Sequence, residues 1–225
     1  RKEKDYVSGQ ELCESLGVSR TAVWKAIRQL EEQGYVIEAV RNKGYRLVEE
    51  ADVLTVAELH SVLDTKWLGK ELEYYYETDS TNNRARDAAE KGASHGFLAV
   101  ADCQTAGKGR RGRVWNSPHG TDIYMSFVLR PTFTPSQASM LTLVAGMAVV
   151  KGVQKATGLS AMIKWPNDAV VNGKKICGIL TEMSTEEDAI RYVVPGIGIN
   201  VNTESFPPEI SDTATSLKLS LGHEL

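Results

Sequence analysis

The sequence predicts an α+β chain that consists of two unequal units. From about residue 55 onward, helix-like and strand-like stretches alternate, and the Asn-Gly pair at 172–173 is typical of a two-residue hairpin turn. Antiparallel hairpins beside segregated helices are typical of α+β domains. Charge is also uneven, because residues 1–48 carry nine Lys/Arg against seven Asp/Glu and the remainder carries 17 against 22. We therefore expect a first unit at residues 1–50 and a larger one at 55–225, joined by a short polar linker at 49–52.

The composition is that of an ordinary water-soluble globular protein. Of 225 residues, 42% are hydrophobic and 24% are charged, with a net charge of −3. The longest nearly unbroken apolar run, 140–150, is too short to span a bilayer, and the N-terminus is charged rather than signal-like. Cys13, Cys103 and Cys177 are far apart and have no histidine nearby in sequence, which argues against a disulfide framework or a zinc site. We expect a cytoplasmic protein that binds no membrane, with Cys103 and Cys177 as core residues.

The first unit has the signals of two helices followed by a hairpin. Ser8 and Glu11 have capping-box spacing at the start of a helix, and Gly17 suits the tight turn that ends it. Ser19 is a good N-cap for a second helix, whose apolar residues repeat at helical spacing until Gly34. Residues 36–40 and 45–48 are predicted strands joined across 41–44.

These residues resemble a winged helix-turn-helix, in which the second helix enters the DNA major groove and the hairpin contacts phosphates. A bare amphipathic helix pair with solvated charges is the alternative, but the turn, the cations and the hairpin together favour the DNA-binding interpretation. Such domains have a further helix before the one at Ser8, and seven residues precede Ser8 here, so the domain is expected to be trimmed at its start. The candidate DNA-contacting residues are Ser19, Arg20, Thr21, Lys25, Arg28, Arg41 and Lys43.

In the second unit, the periodicity predicts helices at 55–63, 81–91 and 136–157. Strands are predicted at 72–77, 97–104, 122–129 and 192–201, with the Asn-Gly hairpin at 170–176. Residues 136–157 are apolar almost all round, which is typical of a buried helix.

A basic, glycine-rich loop lies between the strands at 97–104 and 122–129. Its four cations, at positions 108, 110, 111 and 113, alternate with glycines, so that backbone amides and side chains are able to converge on an anion. The loop lacks the GxxxxGK[ST] pattern, which excludes an ordinary P-loop. In isolation, a basic glycine loop is a weak signal, and a solvated surface loop or a nonspecific nucleic-acid contact is the favoured interpretation.

The loop belongs to an ordered set of motifs. The other members are Asp79-Ser80-Thr81-Asn82, Lys164-Trp165-Pro166-Asn167-Asp168, Lys175-Ile176-Cys177-Gly178-Ile179-Leu180 and Gly196-Ile197-Gly198-Ile199-Asn200. In this order the set resembles the biotin–protein ligases. With the helix-turn-helix in front, the chain resembles their bifunctional members, which are also biotin-operon repressors, from Ser8 to about Leu217.

The resemblance implies a mixed-sheet catalytic domain that performs a two-step reaction. Biotin and ATP form biotinyl-adenylate with Mg²⁺, and a lysine of a biotin carboxyl carrier protein then takes the biotin. It also implies operator DNA as a partner, and a homodimer when biotinyl-adenylate is bound. Family chains continue into a small C-terminal β domain, which is expected to be absent from a chain that stops at Leu225.

The resemblance also assigns residues. The catalytic residues are expected to be Lys164, Arg110 and Lys108, with Lys164 touching both the carboxylate and the α-phosphate. The biotin-binding residues are expected to be Ser80, Thr81, Asn82, Gln104, Lys108, Gly109, Arg110, Lys164, Gly196 and Gly198. The residues expected to bind ATP and the adenylate are Arg110, Arg111, Arg113, Lys164, Asn167 and Asn200. Asp168 is one possible Mg²⁺ ligand, and the metal site is otherwise unassigned.

Three rival functions remain open at this point. One is a non-catalytic, biotin-sensing repressor, against which the intact Lys164 and Arg110 argue. The second is a lipoate-type ligase, against which the Ser80-Thr81-Asn82 segment and the loop argue. The third is a nucleic-acid protein that contacts phosphates through the loop, which predicts a steep salt dependence from the larger unit alone.

Overall fold

The chain divides into two compact units, Arg1–Val62 and Leu63–Leu225, in a computed structural model that describes residues 6–32, 35–49, 54–187 and 189–225. The division falls later than the expected boundary at 50–55, because the helix at Val56–Val62 groups with the first unit. Within that unit the Tyr35 hydroxyl donates to the Glu58 carboxylate at 2.6 Å. Most of the predicted linker, residues 50–52, lies outside the described residues, as does Gly34.

The first unit contains α1 (Gly9–Leu16), α2 (Arg20–Glu32), β1 (Val36–Val40), β2 (Gly44–Glu49) and α3 (Val56–Val62). Local capping explains where its first two helices begin and where α1 ends. Ser8 Oγ accepts from the Glu11 amide at 3.1 Å, and Gly17 takes the left-handed conformation at φ 65°. Ser19 Oγ accepts from the Ala22 amide at 3.3 Å. These residues have the predicted capping roles.

The hairpin of β1 and β2 gains a third partner that the sequence did not predict. The backbone of Val7 exchanges two hydrogen bonds with Tyr45, at 2.8 and 2.9 Å. This close approach requires Gly44, because a Cβ there would lie 2.0 Å from the Val7 carbonyl oxygen. Val7, just before α1, therefore pairs with the hairpin that forms the wing.

The second unit is built on one mixed sheet. Its elements are β3 (Leu72–Thr78), α4 (Thr81–Glu90), β4 (Leu98–Gln104), β5 (Ile123–Phe127), α5 (Ser139–Thr157), β6 (Ala161–Lys164), β7 (Asp168–Val171), β8 (Lys174–Glu186), β9 (Ala189–Ile199) and α6 (Leu217–Leu221). Among the described residues the strand order is β3-β4-β5-β9-β8-β7-β6, with β3 and β4 parallel and the other pairs antiparallel. The predicted strands are present, whereas β6 and α6 were not predicted.

The two long helices lie on opposite faces of the sheet. Ile197 and Ile199 of β9 belong to the apolar cluster under α5, whereas Tyr192 and Val194 belong to the cluster under α4. Successive residues of a strand point to opposite faces. Even-numbered residues of β9, Gly196 and Gly198 among them, therefore point to the α4 side, where a bound molecule can reach the backbone.

Helix α5 is less buried than its composition predicted. Ala145, Val149 and Val153 are buried, but Met140 is 60% exposed and Val144 57% exposed. The sheet covers only one face of the helix, so the expectation of a helix buried all round was wrong. Residues 135–157 are long and apolar enough to cross a bilayer, yet the small residues of α5 pack against the sheet as in a core helix.

The Asn-Gly hairpin was predicted correctly. Asn172 and Gly173 join β7 to β8 with φ of 50° and 79°, as a type I′ turn requires. This two-residue connection places the start of β8 directly beside β7.

Candidate active site

A cleft on the α4 side of the sheet gathers most of the residues that the motifs indicated. Ten of the predicted residues line it: Ser80, Thr81, Asn82, Gln104, Lys108, Gly109, Arg110, Asn167, Gly196 and Gly198. Six others were not assigned a role from the sequence: Trp115, Lys175, Gly178, Ile179, Leu180 and Ile197. The cleft therefore brings together segments from α4, the basic loop, β8 and β9.

One end of the cleft is lined by neutral hydrogen-bonding groups. Gln104 Oε1 accepts from the Thr81 amide at 2.9 Å and from its hydroxyl at 3.1 Å, and Gln104 Nε2 donates to Ser117 Oγ at 2.8 Å. Ser80 is buried at the N-terminus of α4, but its side chain makes no capping hydrogen bond. Its hydroxyl is thus not used in capping the helix.

Asn82 is held by three neighbouring residues. Its Nδ2 donates to Glu182 Oε2 at 2.7 Å and to the Leu180 carbonyl at 3.3 Å. Its Oδ1 accepts from the fully buried Ser126 hydroxyl at 2.6 Å, and that hydroxyl also lies 2.7 Å from Thr81 Oγ1. Ser126 thus links two lining residues from beneath.

Glycines form the wall of the cleft. A Cβ on Gly198 would lie 2.5 Å from the indole of Trp115, one on Gly178 2.7 Å from it, and one on Gly196 1.8 Å from Asn82 Oδ1. The indole therefore lies flat against the backbone of two paired strands. The indole can approach this closely because neither Gly198 nor Gly178 has a Cβ.

Among the residues that the structure describes, three cations line the cleft, and each lies beside a polar partner. Lys108 Nζ donates to Asn83 Oδ1 at 2.6 Å, and Arg110 Nη1 donates to Asn167 Oδ1 at 3.0 Å. Lys175 Nζ lies 2.8 Å from Asp168 Oδ1 and 5.1 Å from the centroid of the Trp115 ring. Three cationic groups from different segments therefore line one cleft, and the charge of Lys175 is paired with that of Asp168.

The structure does not bring Lys164 into this cleft. Its side chain is exposed at the end of β6, the edge strand, and does not line the cavity. Lys175, at the start of β8, does line it, because β8 lies between β7 and β9, next to the glycine wall. The sequence indicated the segment of Lys175 but not its role, since the order of the strands is not visible in a motif.

Three predicted adenylate-binding residues also lie outside the lining. Arg111, at φ 58°, and Arg113 are exposed on the outer part of the loop. Asn200 is buried, and its Nδ2 donates to the Thr215 carbonyl at 3.0 Å. The side-chain amide of Asn200 is therefore already hydrogen-bonded within the chain.

Neither Cys103 nor Cys177 lines this cleft. Burial raises the pKa of the Cys177 thiol to about 12, and Cys177 lies in the cluster under α5 as expected. Cys103 is only half-buried, and burial followed by the Glu77 carboxylate raises its pKa. Both thiols are therefore protonated near neutral pH.

In the first unit, some candidate DNA-contacting residues line a concavity between α1 and the hairpin. Arg20, Arg41 and Lys43 line it, whereas Ser19, Thr21, Lys25 and Arg28 do not. Arg20 Nη2 donates to Gln10 Oε1 at 2.9 Å, and Lys43 Nζ lies 5.6 Å from the centroid of the Tyr6 ring. The hairpin tip therefore presents cations beside the helix pair.

Comparison with known families identifies both units. Residues 74–200, which run from β3 to just past β9 and contain the cleft, match the Biotin/lipoate A/B protein ligase family, and residues 1–46 match the HTH domain. The chain belongs to the biotin/lipoate A/B protein ligase family. The expected family and the α+β fold are thus confirmed.

Relatives of this ligase-family chain include a curated bacterial protein and solved structures. The "Bifunctional ligase/repressor BirA" of Bacillus subtilis is 47% identical over 223 residues, which are 98% of this chain and 69% of that protein. The biotin protein ligase from Aquifex aeolicus in complex with biotin and ATP is 38% identical, with a TM-score of 0.59, over 69% of this chain and 63% of that chain. The Leishmania major biotin protein ligase in complex with biotinyl-5-AMP is 26% identical, with a TM-score of 0.58, over 68% and 65%. This chain therefore spans about two thirds of the length of each.

Proposed function

We propose that this chain activates biotin with ATP to biotinyl-5′-adenylate and transfers the biotin to a lysine of a biotin carboxyl carrier protein. The observation that carries the proposal is the convergence of three cations on a cleft walled by glycines and closed by neutral hydrogen-bonding groups. The family membership and the biotin, ATP and biotinyl-5-AMP complexes of related proteins support it.

Biotin binds, in this proposal, with its uncharged ureido ring among Ser80, Thr81 and Gln104. Such a ring needs hydrogen-bond donors and acceptors rather than ions, and these side chains offer both. The bicyclic ring lies along the wall of Gly196 and Gly198, beside the Trp115 indole that packs on Gly198 and the Asn82 side chain that packs on Gly196. Its carboxylate then points toward the cations.

The first step joins two anions. A carboxylate oxygen of biotin attacks the α-phosphorus of ATP, an oxygen–phosphorus bond forms, and the bond to the leaving pyrophosphate breaks. Lys108, Arg110 and Lys175 counter the repulsion between the reactants and the charge that develops on the α-phosphoryl oxygens. We assign to Lys175 the role expected of Lys164, because the Lys175 ammonium lies in the cleft.

The second step requires a dry site. The neutral ε-amine of the carrier lysine attacks the acyl carbon of the adenylate, AMP leaves with the carboxyl–phosphate oxygen, and an amide remains. Water would hydrolyse the same mixed anhydride, so we infer that the loop at 107–113 closes over the adenylate.

The divalent ion that accompanies ATP does not fit at Asp168. That carboxylate is ion-paired to Lys175 at 2.8 Å, and a cation bound there would compete with the ammonium. The expectation of Asp168 as a Mg²⁺ ligand is therefore not kept in this proposal.

We also propose that the first unit makes the protein a biotin-dependent repressor of a biotin operon. The match to an HTH domain and the ligase/repressor name of the Bacillus subtilis relative support this. Biotinyl-adenylate would favour a homodimer that reads a palindromic operator, and the protein would act in the cytoplasm.

The test mixes the chain with ATP, Mg²⁺, biotin and a biotin-acceptor domain, and measures pyrophosphate release and acceptor mass. We expect pyrophosphate and a biotin-sized mass gain, both lost in Lys175→Ala. Biotin binding without pyrophosphate would instead indicate the non-catalytic sensor. Absence of biotin binding, with lipoate bound or not, would overturn the proposal.

A further inference from the structure

A second cluster of chemically reactive side chains lies apart from the catalytic groups assigned above. Within the described ranges, one ligand atom each from Glu77, Cys103 and His119 lies within 4.8 Å of the others. The sequence argued against a zinc site because no histidine is near any cysteine along the chain. The fold changes this, since it brings His119 across to the end of β4.

We propose that Glu77, Cys103 and His119 bind one divalent transition-metal ion, with Zn²⁺ preferred. The three offer a carboxylate oxygen, a sulfur and an imidazole nitrogen, which are the ligands that Zn²⁺ takes in proteins. Three protein ligands leave the fourth tetrahedral position to water.

The backbone fixes two of the three ligands side by side. Glu77 and Cys103 are register partners on the parallel strands β3 and β4, so their side chains leave the sheet on the same face. Both lie near the ends of these strands. The spacing of these two donors is therefore set by the sheet and not by a mobile loop.

The third ligand is oriented for binding. His119 Nδ1 lies 2.6 Å from Asp102 Oδ2, and Asp102 Oδ1 accepts from the Gly120 amide at 3.1 Å. A carboxylate on Nδ1 fixes the tautomer with Nε2 free, which is the usual arrangement of a metal-binding histidine. The imidazole also stacks on Tyr76 at 4.5 Å between ring centroids.

The free nitrogen points toward the other donors. His119 Nε2 lies 3.6 Å from Glu77 Oε2, which is too long for a hydrogen bond but suits two ligands of one ion. Donors of a tetrahedral zinc site lie about 3.3–3.8 Å apart, as follows from the bond lengths. Glu77 and His119 are exposed, so side-chain rotation, of Glu77 above all, closes the remaining distance to Cys103.

An ion bound at this position would stabilise the segment that carries the basic loop. Cys103 and His119 flank residues 104–118, which contain the basic loop and Trp115. The base of this segment is already closed by a hydrogen bond from the Gln104 amide to the Ser117 carbonyl, at 3.1 Å. A metal ion would join the two ends of the segment through coordinate bonds and stabilise its stem.

The experiment uses the full chain, stripped with a chelator and kept reduced with a phosphine. Zn²⁺ is titrated by calorimetry, and Co²⁺ is titrated by absorption to detect thiolate charge transfer. We expect one ion per chain, a Co²⁺–thiolate band, and affinity at least about 100-fold weaker in Cys103→Ser and in His119→Gln. Cys13→Ser is the matched control and should bind as the unchanged protein does.

Asp102 acts as a positioning residue, so Asp102→Asn should keep the thiolate band and weaken Zn²⁺ binding by about 10–100-fold.

A measurement on the unchanged protein tests the site without depending on whether the variants fold. Zn²⁺ should protect Cys103, but not Cys13, from alkylation by iodoacetamide, as read by peptide mass spectrometry. Equal Zn²⁺ affinity in Cys103→Ser, or alkylation of Cys103 unaffected by Zn²⁺, would overturn the site.

Discussion

The indole of Trp115 lies against the bare backbone of Gly198, where an added Cβ would come within 2.5 Å of two ring atoms. Gly198 is paired with Gly178 on the neighbouring strand, which faces the same ring. Two glycines and one tryptophan thus define the width of the cleft. Any side chain on this wall must displace either the indole or the ligand.

Gly198→Ala should therefore weaken biotin binding. The new methyl group pushes on Trp115 and narrows the slot for the bicyclic ring, and we expect a loss of at least about tenfold in affinity, or ~1.4 kcal/mol. Calorimetric titration with biotin measures it. Gly152→Ala in α5 is the control, since a Cβ there meets nothing within 4 Å, and biotin affinity should be unchanged. Unchanged affinity in Gly198→Ala would contradict the assignment of this wall.

Lys175→Ala and Lys164→Ala distinguish the two lysines. Loss of the ammonium in the cleft should lower the rate of pyrophosphate release by about 10²–10³-fold, the usual effect of removing one stabilising group. Lys164 is exposed on the edge strand, so its replacement should leave the rate within a few-fold of the unchanged protein. The reverse result would restore Lys164 to the catalytic role and reject Lys175.

Ser126→Ala tests the support beneath the cleft. The hydroxyl is fully buried and joins Thr81 to Asn82, so its removal leaves a buried polar group unpaired. The Asn82 Oδ1 atom loses its partner, whereas the Thr81 hydroxyl keeps its hydrogen bond to Gln104. We expect the free energy of unfolding to fall by about 1–3 kcal/mol and biotin affinity to fall with it. Denaturant unfolding and biotin titration provide the two values.

Ser136→Ala, on an exposed turn, is the control and should change the free energy of unfolding by less than about 0.5 kcal/mol. Equal stability of both variants would show that Ser126 does not support the site.

Paired replacement of Arg41 and Lys43 by glutamine tests the wing. Removing one cation that pairs with a DNA phosphate should lower the slope of log affinity against log salt by about 0.9, so the double variant should lower it by about 2 on a DNA duplex. Binding to a random-sequence duplex over a range of salt concentrations gives the slope. The matched control replaces the exposed Lys151 and Lys155 of α5 and should keep the slope. An equal decrease in the control would point to nonspecific attraction by the whole chain.

The sequence by itself determined the local elements and the family. Ser8 and Gly17 cap the two ends of α1 through interactions with residues a few positions away. Asn172-Gly173 favours a type I′ turn through backbone conformation alone. Because such signals depend on neighbours in sequence, they are visible without a structure. The motif order likewise located ten of the residues that line the cleft.

Only the tertiary structure decided which side chains meet. Lys175 enters the cleft and Lys164 does not, because β8 is an inner strand and β6 an edge strand. His119 reaches Cys103 from 16 positions further along the chain. Strand order and packing arise from interactions between distant segments, which neither composition nor periodicity encodes. The sequence therefore predicts the type of chemistry, while the order of the strands decides which side chains line the cleft.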